Sequence, residues 1–396
     1  MLSQRVKVIS PSPTLAITAK ANALRAQGVD IIGFGAGEPD FDTPDTIKRA
    51  AVDAINAGFT KYTPTAGIPE LRSAVCDKLK RDNGVSYTPD QVLVSCGAKH
   101  SLFNAVMALV DPGDEVIIPA PYWVSYAEMV RCAGGVVVEI PTTAADGFRA
   151  TAERIAQAVT PRTKLLILNS PSNPTGMVYN PQELERIARV VVDRDIACIS
   201  DEIYEKIVYG DTRHVSIASF GPDIQARTII INGVSKSHSM TGWRIGYAAG
   251  PRDVIAAMTN LQDHSTSNAT SIAQKAALEA LTGSQESVAT MVAAFAERRD
   301  AIVRLVNEIP GMSCLTPTGA FYVWVDCTAL MARSFGGAPI GSSLRLAELL
   351  LTEAKVAVIP GICFGNDAYV RLSYATSMRN ISEGLARIRD FCAELS

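Results

Sequence analysis

Short apolar runs alternate with stretches of helical periodicity through most of the first 285 residues. Five of these runs are rich in Val, Ile and Leu, namely QVLVSC (91–96), EVIIPA (115–120), KLLILN (164–169), IACIS (196–200) and RTIIIN (227–232). Continuous apolar strands separated by helices are typical of a buried, largely parallel sheet with helices on both faces. The pattern therefore predicts an α/β fold whose sheet spans roughly residues 45–285.

The segment NPQELERIARVVVDRD shows how one of these helices begins. Asn180 can cap the helix, Pro181 suits the first helical position, and Glu183 can reach back to the cap. Apolar residues then recur on one helical face, at Leu184, Ile187, Ala188, Val191 and Val192. The segment therefore predicts an amphipathic helix that starts at about residue 181.

The pattern changes at about residue 285. A long amphipathic helix is predicted there, and its apolar face consists of Val288, Val292, Phe295, Ile302, Leu305 and Val306. The runs GAFYVWVD, KVAVIPG and AYVRLSYA then indicate strands, and a last helix follows them. We therefore expect a large domain over 45–285, a smaller α+β domain over 286–396, and an N-terminal segment, 1–44, that forms part of the small domain.

Charge and hydropathy narrow the class of protein. The chain has 37 basic and 40 acidic residues and 47% apolar residues, and its charges are spread evenly. This distribution gives no basic face for nucleic acid and no polybasic membrane anchor. The first residues contain no apolar core of a signal peptide, and no run reaches the roughly 18 apolar residues of a membrane span. We therefore expect a cytoplasmic protein that acts on small molecules.

Patterns for metal or dinucleotide binding are missing from the sequence. The eight cysteines include no C-x-x-C pair, so free, buried thiols are expected, and the four histidines form no metal-binding motif. We predict no metal site. The segment DIIGFGAGEPDF resembles a dinucleotide fingerprint, but the motif needs glycine where Glu38 stands, and Pro39 would disturb the helix start.

Polar residues follow the predicted strands at the points where each strand ends. In an open parallel sheet, ligands bind beyond the carboxyl ends of the strands. The residues at these ends are Gly97, Ala98 and Lys99 before a helix, then Asn173, Asp201, Tyr204, Ser235, Lys236 and, further on, Arg244. A small-residue turn at a helix N-terminus suits a phosphate group.

Each of these residues also has an ordinary structural explanation. Gly-Ala before a helix is usually only a turn, Asn-Pro-x-Gly is a common β-turn, and an aspartate after a strand is commonly a cap. Their combination points to one cofactor, pyridoxal 5′-phosphate. Its aldehyde needs a lysine, its phosphate needs an arginine and a helix N-terminus, and its ring nitrogen needs a carboxylate.

Several motifs together resemble a known family. NPTG, DEIY, SKSHSMTGWRIGY and YVRLSYATS resemble the fold type I aminotransferases of class I. GAGEPDFDTP, KYTPTAGIPELR and PYWVSY are similar to the bacterial aspartate aminotransferases of subgroup 1b, and the similarity extends from Pro11 to the last helix. The resemblance implies a mostly parallel, seven-stranded sheet domain flanked by helices, together with a smaller α+β domain.

The resemblance also implies roles at the cofactor. Lys236 matches the lysine that binds the aldehyde and moves the substrate proton, and Asp201 matches the partner of the ring nitrogen. Asn173 and Tyr204 match the partners of the ring 3′-oxygen. The phosphate turn at Gly97, Ala98 and Lys99, with Ser235 and Arg244, matches the phosphate contacts, and Trp123 matches the aromatic side chain stacked on the ring.

Substrate contacts and a partner subunit are implied in the same way. Arg371 resembles the arginine that binds the substrate α-carboxylate, Gly37 resembles a backbone contact to that group, and Trp123 and Asn173 also border the substrate. A planar guanidinium binds a carboxylate through two hydrogen bonds, which lysine cannot do. Tyr62 resembles a tyrosine that reaches the neighbouring subunit's phosphate, which implies a homodimer with shared active sites.

The choice of amino acid depends on the contact to the distal carboxylate. The segment LQDHSTSNATSIAQ has no arginine of the kind that the animal-type aspartate enzymes use. Lys99 and Thr14 instead resemble the subgroup 1b contacts, with Ser265 or Thr266 of the partner subunit. These residues imply an aspartate aminotransferase that passes the amino group to 2-oxoglutarate, and to prephenate as some similar members do. The alternative for Lys99 is a solvated lysine, and for Thr14 a plain loop residue.

Other functions on the same fold stay open at this point. An aromatic or alanine aminotransferase, a carbon–sulfur lyase or a cyclopropane-forming synthase would share Lys236, Asp201 and Arg371. Lys99 and the aspartate-like segments argue against the lyase and the synthase. A non-catalytic regulator would need a DNA-binding domain, and the motifs begin by Gly33, which leaves no room for one.

Overall fold

The computed structural model of the chain describes residues 1–9 and 13–396, apart from the side chains at positions 4 and 13–15. Its helices are α1 (Gln4–Lys7), α2 (Pro13–Ala26), α3 (Asp45–Asn56), α4 (Pro69–Asn83), α5 (Ala98–Leu109), α6 (Ser125–Ala133), α7 (Ala152–Ala158), α8 (Pro181–Asp193), α9 (Pro222–Gln225), α10 (Arg252–Asp263), α11 (Ser271–Thr282), α12 (Glu286–Asn307), α13 (Thr328–Met331), α14 (Ser343–Thr352) and α15 (Met378–Ala393). Its strands are β1 (Ile32–Gly33), β2 (Val92–Ser95), β3 (Glu115–Ala120), β4 (Val136–Pro141), β5 (Thr163–Asn169), β6 (Ala197–Asp201), β7 (Thr228–Gly233), β8 (Gly246–Ala249), β9 (Ser313–Cys314), β10 (Tyr322–Asp326), β11 (Ser334–Phe335), β12 (Ala338–Pro339), β13 (Val356–Ala357), β14 (Ile359–Pro360) and β15 (Tyr369–Ser373).

A seven-stranded sheet forms the centre of the large part of the molecule. Its strand order is β2-β8-β7-β6-β5-β3-β4. Six strands run parallel, and β8 runs antiparallel to both of its neighbours. The five apolar runs identified in the sequence correspond to β2, β3, β5, β6 and β7, so the predicted α/β fold is confirmed. The strands β4 and β8 were not predicted.

The central strands are buried because helices cover both faces of the sheet. In β7, every residue is buried. Ile229 and Ile231 belong to the cluster that contains residues of α5, α6 and α10, whereas Ile230 packs with residues of α4 and α11. Successive side chains of a strand point to opposite faces, so an uninterrupted apolar run can fill both cores at once.

Helix α8 begins as the sequence predicted, with one difference. Pro181 is its first residue, and the side chain of Asn180 accepts a hydrogen bond of 2.7 Å from the backbone N–H of Glu183. The carboxylate of Glu183 does not bond to the cap, because it accepts a hydrogen bond from the backbone N–H of Ala152 at 2.6 Å. Glu183 therefore ties the start of α8 to the start of α7.

A four-stranded antiparallel sheet, with order β14-β15-β10-β9, forms the second layer. The predicted strand segments after residue 311 correspond to β10, β13, β14 and β15. Helix α12 follows the predicted long helix, and its buried residues include Val288, Phe295, Ile302 and Val306. Strand β1 pairs in parallel with β13, so the N-terminal part of the chain packs on this region. The domain division at residues 44 and 285 stays a prediction.

The segment after β1 does not form a dinucleotide-binding turn. From Phe34 to Pro44 the chain has no helix, and α3 starts only at Asp45. All eight cysteines are free, but Cys76, Cys96, Cys132 and Cys314 are only half-buried. None of the helices in residues 1–9 and 13–396 has both the length and the apolar character that a transmembrane helix needs.

Candidate active site

Lys236 lies in the loop that follows β7, at the carboxyl edge of the sheet. Its side chain is half-buried, and Nζ donates a hydrogen bond of 2.7 Å to the carbonyl oxygen of Gly37. Burial lowers the pKa of Lys236 to about 8, and the positive charges of Arg244 and Arg371 act in the same direction. A substantial fraction of this lysine is therefore a neutral amine near neutral pH, and a neutral amine can act as nucleophile or base.

Asp201 is the last residue of β6, and only 3% of it is exposed. Burial raises the pKa of its carboxyl group to about 6, although two hydrogen bonds oppose that shift. Tyr126 donates the first bond from its hydroxyl at 2.6 Å, and the backbone N–H of Ile203 donates the second at 3.2 Å. Above pH 6 the site therefore contains a buried carboxylate, which can stabilise a protonated ring nitrogen.

Asn173 and Tyr204 follow β5 and β6 at the same edge, and both are buried. The backbone N–H of Asn173 donates to the side-chain oxygen of Asn169 at 2.8 Å, which fixes the loop. The hydroxyl of Tyr204 lies 2.8 Å from the hydroxyl of Tyr322, a residue of β10. One amide and one phenol are therefore held on the side of the site that faces the four-stranded sheet.

Arg371 reaches the site from β15, and only 5% of it is exposed. Nη1 donates to the side-chain oxygen of Asn173 and Nη2 to the carbonyl oxygen of Gly35, each at 2.9 Å. The guanidinium carbon lies 4.4 Å from the ring centre of Tyr322 and 5.1 Å from that of Phe364. Nε has no hydrogen-bond partner among the described residues. A buried cation with an unused donor suits an anionic ligand.

The turn at the start of α5 lies against Arg244. Gly97 precedes the helix with φ +88°, and a Cβ atom there would lie 2.4 Å from Nη2 of Arg244. Glycine is favoured at this position because its φ is positive, and any larger side chain would also displace the guanidinium of Arg244. Arg244 is exposed and donates to the carbonyl oxygens of Thr241 at 3.0 Å and Cys96 at 3.4 Å. This arginine and the first N–H groups of α5 could together hold a phosphate.

Close packing also fixes the residues around this turn. A Cβ atom at Gly246, on β8, would lie 2.1 Å from the backbone nitrogen of Ala98. Strand β8 therefore approaches the turn more closely than any side chain permits. Ser235, immediately before Lys236, is buried, with 5% of its surface exposed.

Lys99 and Trp123 form a pair beside the turn. Nζ of Lys99 lies 4.6 Å from the ring centre of Trp123, within the range of a cation–π interaction. Lys99 is exposed, but desolvation of its ammonium group and, to a smaller extent, the charge of Arg244 lower its pKa. Trp123 packs edge to face on Tyr126, with ring centres 5.4 Å apart. Tyr126 is the tyrosine that donates to Asp201, so the indole contacts both Lys99 and the tyrosine bonded to that aspartate.

The remaining predicted residues are not assembled within a single chain. Tyr62 is 92% exposed, and Ser265 and Thr266 are also exposed. Their predicted roles need a second subunit. Thr14 stays a prediction, because its side chain lies outside the described residues.

Sequence reasoning missed two phenols of the site, Tyr126 and Tyr322. Tyr126 follows β3 in the segment PYWVSY, so the rule of reading polar residues beyond strand ends could have found it. Tyr322 gives no such signal, because its place depends on the pairing of β10 with β15.

A buried charge cluster lies directly behind the site. The ligand-type atoms of Glu202, Glu205 and His214 lie within 4.8 Å of one another. Nζ of Lys78 forms an ion pair with Glu205 and donates to the side chain of Asn83 at 2.7 Å. Burial is the largest effect and acts to raise the pKa of Glu205, but the charges of Lys78 and His214 together with hydrogen bonds from Lys78 and Asn83 outweigh it, so the pKa lies below its ordinary value. The ammonium group of Lys78 therefore already supplies a cation in this cluster.

The chain is similar to known proteins along nearly its whole length. The family model described as aminotransferase class I and II matches residues 29–388. An aspartate aminotransferase of Bacillus sp. (strain YM-2) is 51% identical over 391 residues, 99% of each chain. An aspartate/prephenate aminotransferase of Cereibacter sphaeroides is 51% identical over 397 residues, 100% of this chain and 99% of the relative. The crystal structure of the aspartate aminotransferase from Rhizobium meliloti has a TM-score of 0.96 and 44% identity, with all of both chains covered.

Proposed function

Because the chain belongs to the aminotransferase class I and II family, we propose that it transfers the amino group of L-aspartate to 2-oxoglutarate and to prephenate, with pyridoxal 5′-phosphate as cofactor. One observation supports the proposal above all others. The site brings together the half-buried Lys236, the buried carboxyl group of Asp201 and the buried guanidinium of Arg371. The charge of Arg371 lowers the pKa of Lys236, and the charge of Asp201 raises it. This is the set of groups that aminotransfer on this cofactor requires.

The residues of the site fit the cofactor. When bound, pyridoxal 5′-phosphate supplies an electron sink that makes the α-proton of an amino acid acidic. Asp201 would hold the ring nitrogen, because its carboxylate is ionised above about pH 6 and Tyr126 stabilises that form. Asn173 and Tyr204 would hold the ring 3′-oxygen. The phosphate would be held by the residues of the small turn and its arginine, namely Gly97, Ala98, Lys99, Ser235 and Arg244, and the ring would stack on Trp123.

Lys236 would move the proton of the substrate. Its lowered pKa, about 8, makes the neutral amine available without strongly alkaline conditions. The hydrogen bond to Gly37 orients Nζ toward the side of the site where Arg371 and Gly35 lie. As a neutral amine, Nζ of Lys236 would accept the proton that leaves Cα of the substrate.

Arg371 would bind the α-carboxylate of the substrate. Asn173 and Gly35 hold its Nη atoms, so the guanidinium is ordered before a ligand arrives. The distal carboxylate would bind to Lys99, with Thr14 as a second contact. Lysine carries its charge on a flexible stem and fixes geometry less tightly than an arginine fork. A larger dicarboxylate such as prephenate can therefore be accommodated, and the Cereibacter sphaeroides relative is named for both substrates.

We propose a homodimer in which Tyr62 of the partner subunit contacts the phosphate. Tyr62 is 92% exposed, and two apolar residues of the nearby helix α3, Val52 and Ile55, are 52% and 50% exposed. Ser265 and Thr266 of the partner subunit would border the distal carboxylate. We also propose that the enzyme works in the cytoplasm, because its eight free thiols suit a reducing compartment.

The decisive experiment follows the two halves of the reaction separately. Cofactor-loaded enzyme is mixed with L-aspartate and no acceptor, and we expect one oxaloacetate per active site together with a change in the absorbance of the bound cofactor. Adding 2-oxoglutarate or prephenate should restore the original absorbance. The Lys236→Ala variant serves as the control that should release no oxaloacetate.

Other outcomes would select a different function. Release of pyruvate or ammonia from an amino acid without any acceptor would indicate a lyase. Oxo-acid release from alanine or phenylalanine, with aspartate inert, would contradict the assignment of Lys99 and Thr14 as contacts to the distal carboxylate. A Lys99→Met variant that loses aspartate but keeps alanine would support that assignment.

A further inference from the structure

Tyr322, a residue of β10 with 1% of its surface exposed, contacts three residues of the site. Its hydroxyl lies 2.8 Å from that of Tyr204, and its ring centre lies 4.4 Å from the guanidinium carbon of Arg371. The same hydroxyl would lie 3.0 Å from a Cβ atom at Gly37, the residue whose carbonyl oxygen accepts from Lys236. One side chain from the four-stranded sheet thus borders Tyr204, Arg371 and the backbone of Gly37, to which the lysine is hydrogen-bonded.

We propose that Tyr322 is a positioning residue that orients the hydroxyl of Tyr204 through its own hydroxyl and the guanidinium of Arg371 through its ring face. The inference rests on the proposed function, since it assigns Tyr204 to the cofactor and Arg371 to the substrate carboxylate. Tyr322 contacts both of these side chains directly.

The hydroxyl acts on the proton of Tyr204. Burial raises the pKa of both phenols, so both are protonated at neutral pH and each can donate one hydrogen bond. If Tyr204 is to donate to the ring 3′-oxygen, its own oxygen is left to accept, and Tyr322 is the neighbour that donates to it. Hydrogen bonds in a chain polarise one another, so this donation strengthens the bond from Tyr204 to the cofactor.

The ring acts on Arg371. A guanidinium attracts the negative face of an aromatic ring, and the attraction grows when water is excluded. The guanidinium of Arg371 contacts the rings of both Tyr322 and Phe364, and the residue is 5% exposed. The two rings fix the plane of the guanidinium, and that plane determines the direction from which a carboxylate can bind to it.

Two variants of the cofactor-loaded enzyme separate these roles. Tyr322→Phe keeps the ring and removes the hydroxyl, whereas Tyr322→Leu removes the ring as well. The first readout is the pH midpoint of the absorbance change of the bound cofactor. The second is the Kd of maleate, a four-carbon dicarboxylate without an amino group, measured by titration. Tyr374→Phe is the matched control, because Tyr374 is also fully buried and its hydroxyl bonds only to Tyr209 and Ala320.

For Tyr322→Phe we expect the pH midpoint to rise by about 0.3 to 1 pH unit, because the 3′-oxygen loses part of its stabilisation, while the Kd of maleate changes less than about twofold. For Tyr322→Leu we expect the same shift and a Kd that is about 3- to 30-fold higher. Tyr374→Phe should change neither quantity.

Two results would overturn the proposal. One is a Tyr322→Phe midpoint equal to that of the wild type, and the other is a Kd unchanged in Tyr322→Leu. If the leucine variant does not fold, Tyr322→Met replaces it, because the longer, unbranched methionine side chain adapts to an irregular space without an aromatic face. Both readouts are made without turnover, so failure of the wild type to release oxaloacetate from aspartate would count against the proposed function alone.

Discussion

Nη1 of Arg371 lies 2.9 Å from the side-chain oxygen of Asn173, a residue 198 positions earlier in the chain. This hydrogen bond joins the four-stranded sheet to the carboxyl edge of the seven-stranded sheet, and the bond from Nη2 to Gly35 joins both to the N-terminal segment. The arginine thus links three parts of the chain, and its Nε–H has no hydrogen-bond partner among the described residues. An ordered guanidinium loses little freedom when it binds a carboxylate, so its contribution to affinity is large.

Replacing Arg371 by lysine should therefore weaken the binding of dicarboxylates. The ammonium group keeps the charge but cannot hold Asn173, Gly35 and a carboxylate in the geometry of the planar fork. We expect the Kd of maleate to rise about 10- to 100-fold, measured by titration of the cofactor-loaded enzyme. Arg304→Lys, at an exposed position of α12, is the control and should bind maleate as the wild type does. Equal affinity in Arg371→Lys would contradict the assigned contact.

Asp201 should make the stability of the cofactor-free protein depend on pH. Its pKa in the folded protein, about 6, lies above the unfolded value of about 3.9, so the folded state binds more protons between these values. The free energy of unfolding therefore loses a contribution of about 2 to 3 kcal/mol as the pH rises from 4 to 7. Asp201→Asn cannot ionise and should lack this loss.

Urea denaturation of the wild type and of Asp201→Asn at pH 4 to 7 measures this difference directly. The variant should gain stability relative to the wild type as the pH rises, since all other titrating groups are common to both proteins. A difference between the two that stays constant over this range would show that the carboxyl group titrates at its ordinary pKa.

The residues that the sequence could locate are those whose position follows from a single strand. Asn173, Asp201 and Lys236 each come after an apolar run, and parallel strands bring their carboxyl ends to one edge. The chemistry of these residues could therefore be predicted from the sequence alone. The edge strand β4 was missed because most of its residues are partly or fully exposed, and β8 because GYAA has only four residues and none is Val, Ile or Leu.

The contacts that the sequence could not locate depend on two elements at once. Tyr322 reaches Tyr204 only because β10 pairs with β15 in one register, with Trp324 opposite Arg371. The ion pair of Lys78 with Glu205 likewise joins α4 to the loop after β6. No local pattern of polar and apolar residues encodes such pairings, because each is fixed by the packing of distant segments.

Removing the cation from the buried cluster should destabilise the fold. Lys78 and Glu205 are 3% and 8% exposed, and Lys78→Met leaves the carboxylate buried without its partner. We expect the free energy of unfolding to fall by about 3 to 5 kcal/mol in urea denaturation. The double variant Lys78→Met, Glu205→Gln should recover part of that loss, because the side chain at position 205 is then uncharged. Lys275→Met, which breaks the surface pair with Glu70, is the control and should cost little.

The lowered pKa of Lys236 should determine how the rate of cofactor attachment depends on pH. An amine reacts with an aldehyde in its neutral form, and burial and two arginines bring the pKa of this lysine to about 8 instead of 10.5. The rate at which cofactor-free protein attaches pyridoxal 5′-phosphate should thus rise with pH and level off above about pH 8. Stopped-flow absorbance gives the rate, and mass spectrometry after borohydride reduction locates the attachment. Lys236→Ala should show no attachment, and a rate that keeps rising to pH 10 would mean that the site does not lower the pKa of this lysine.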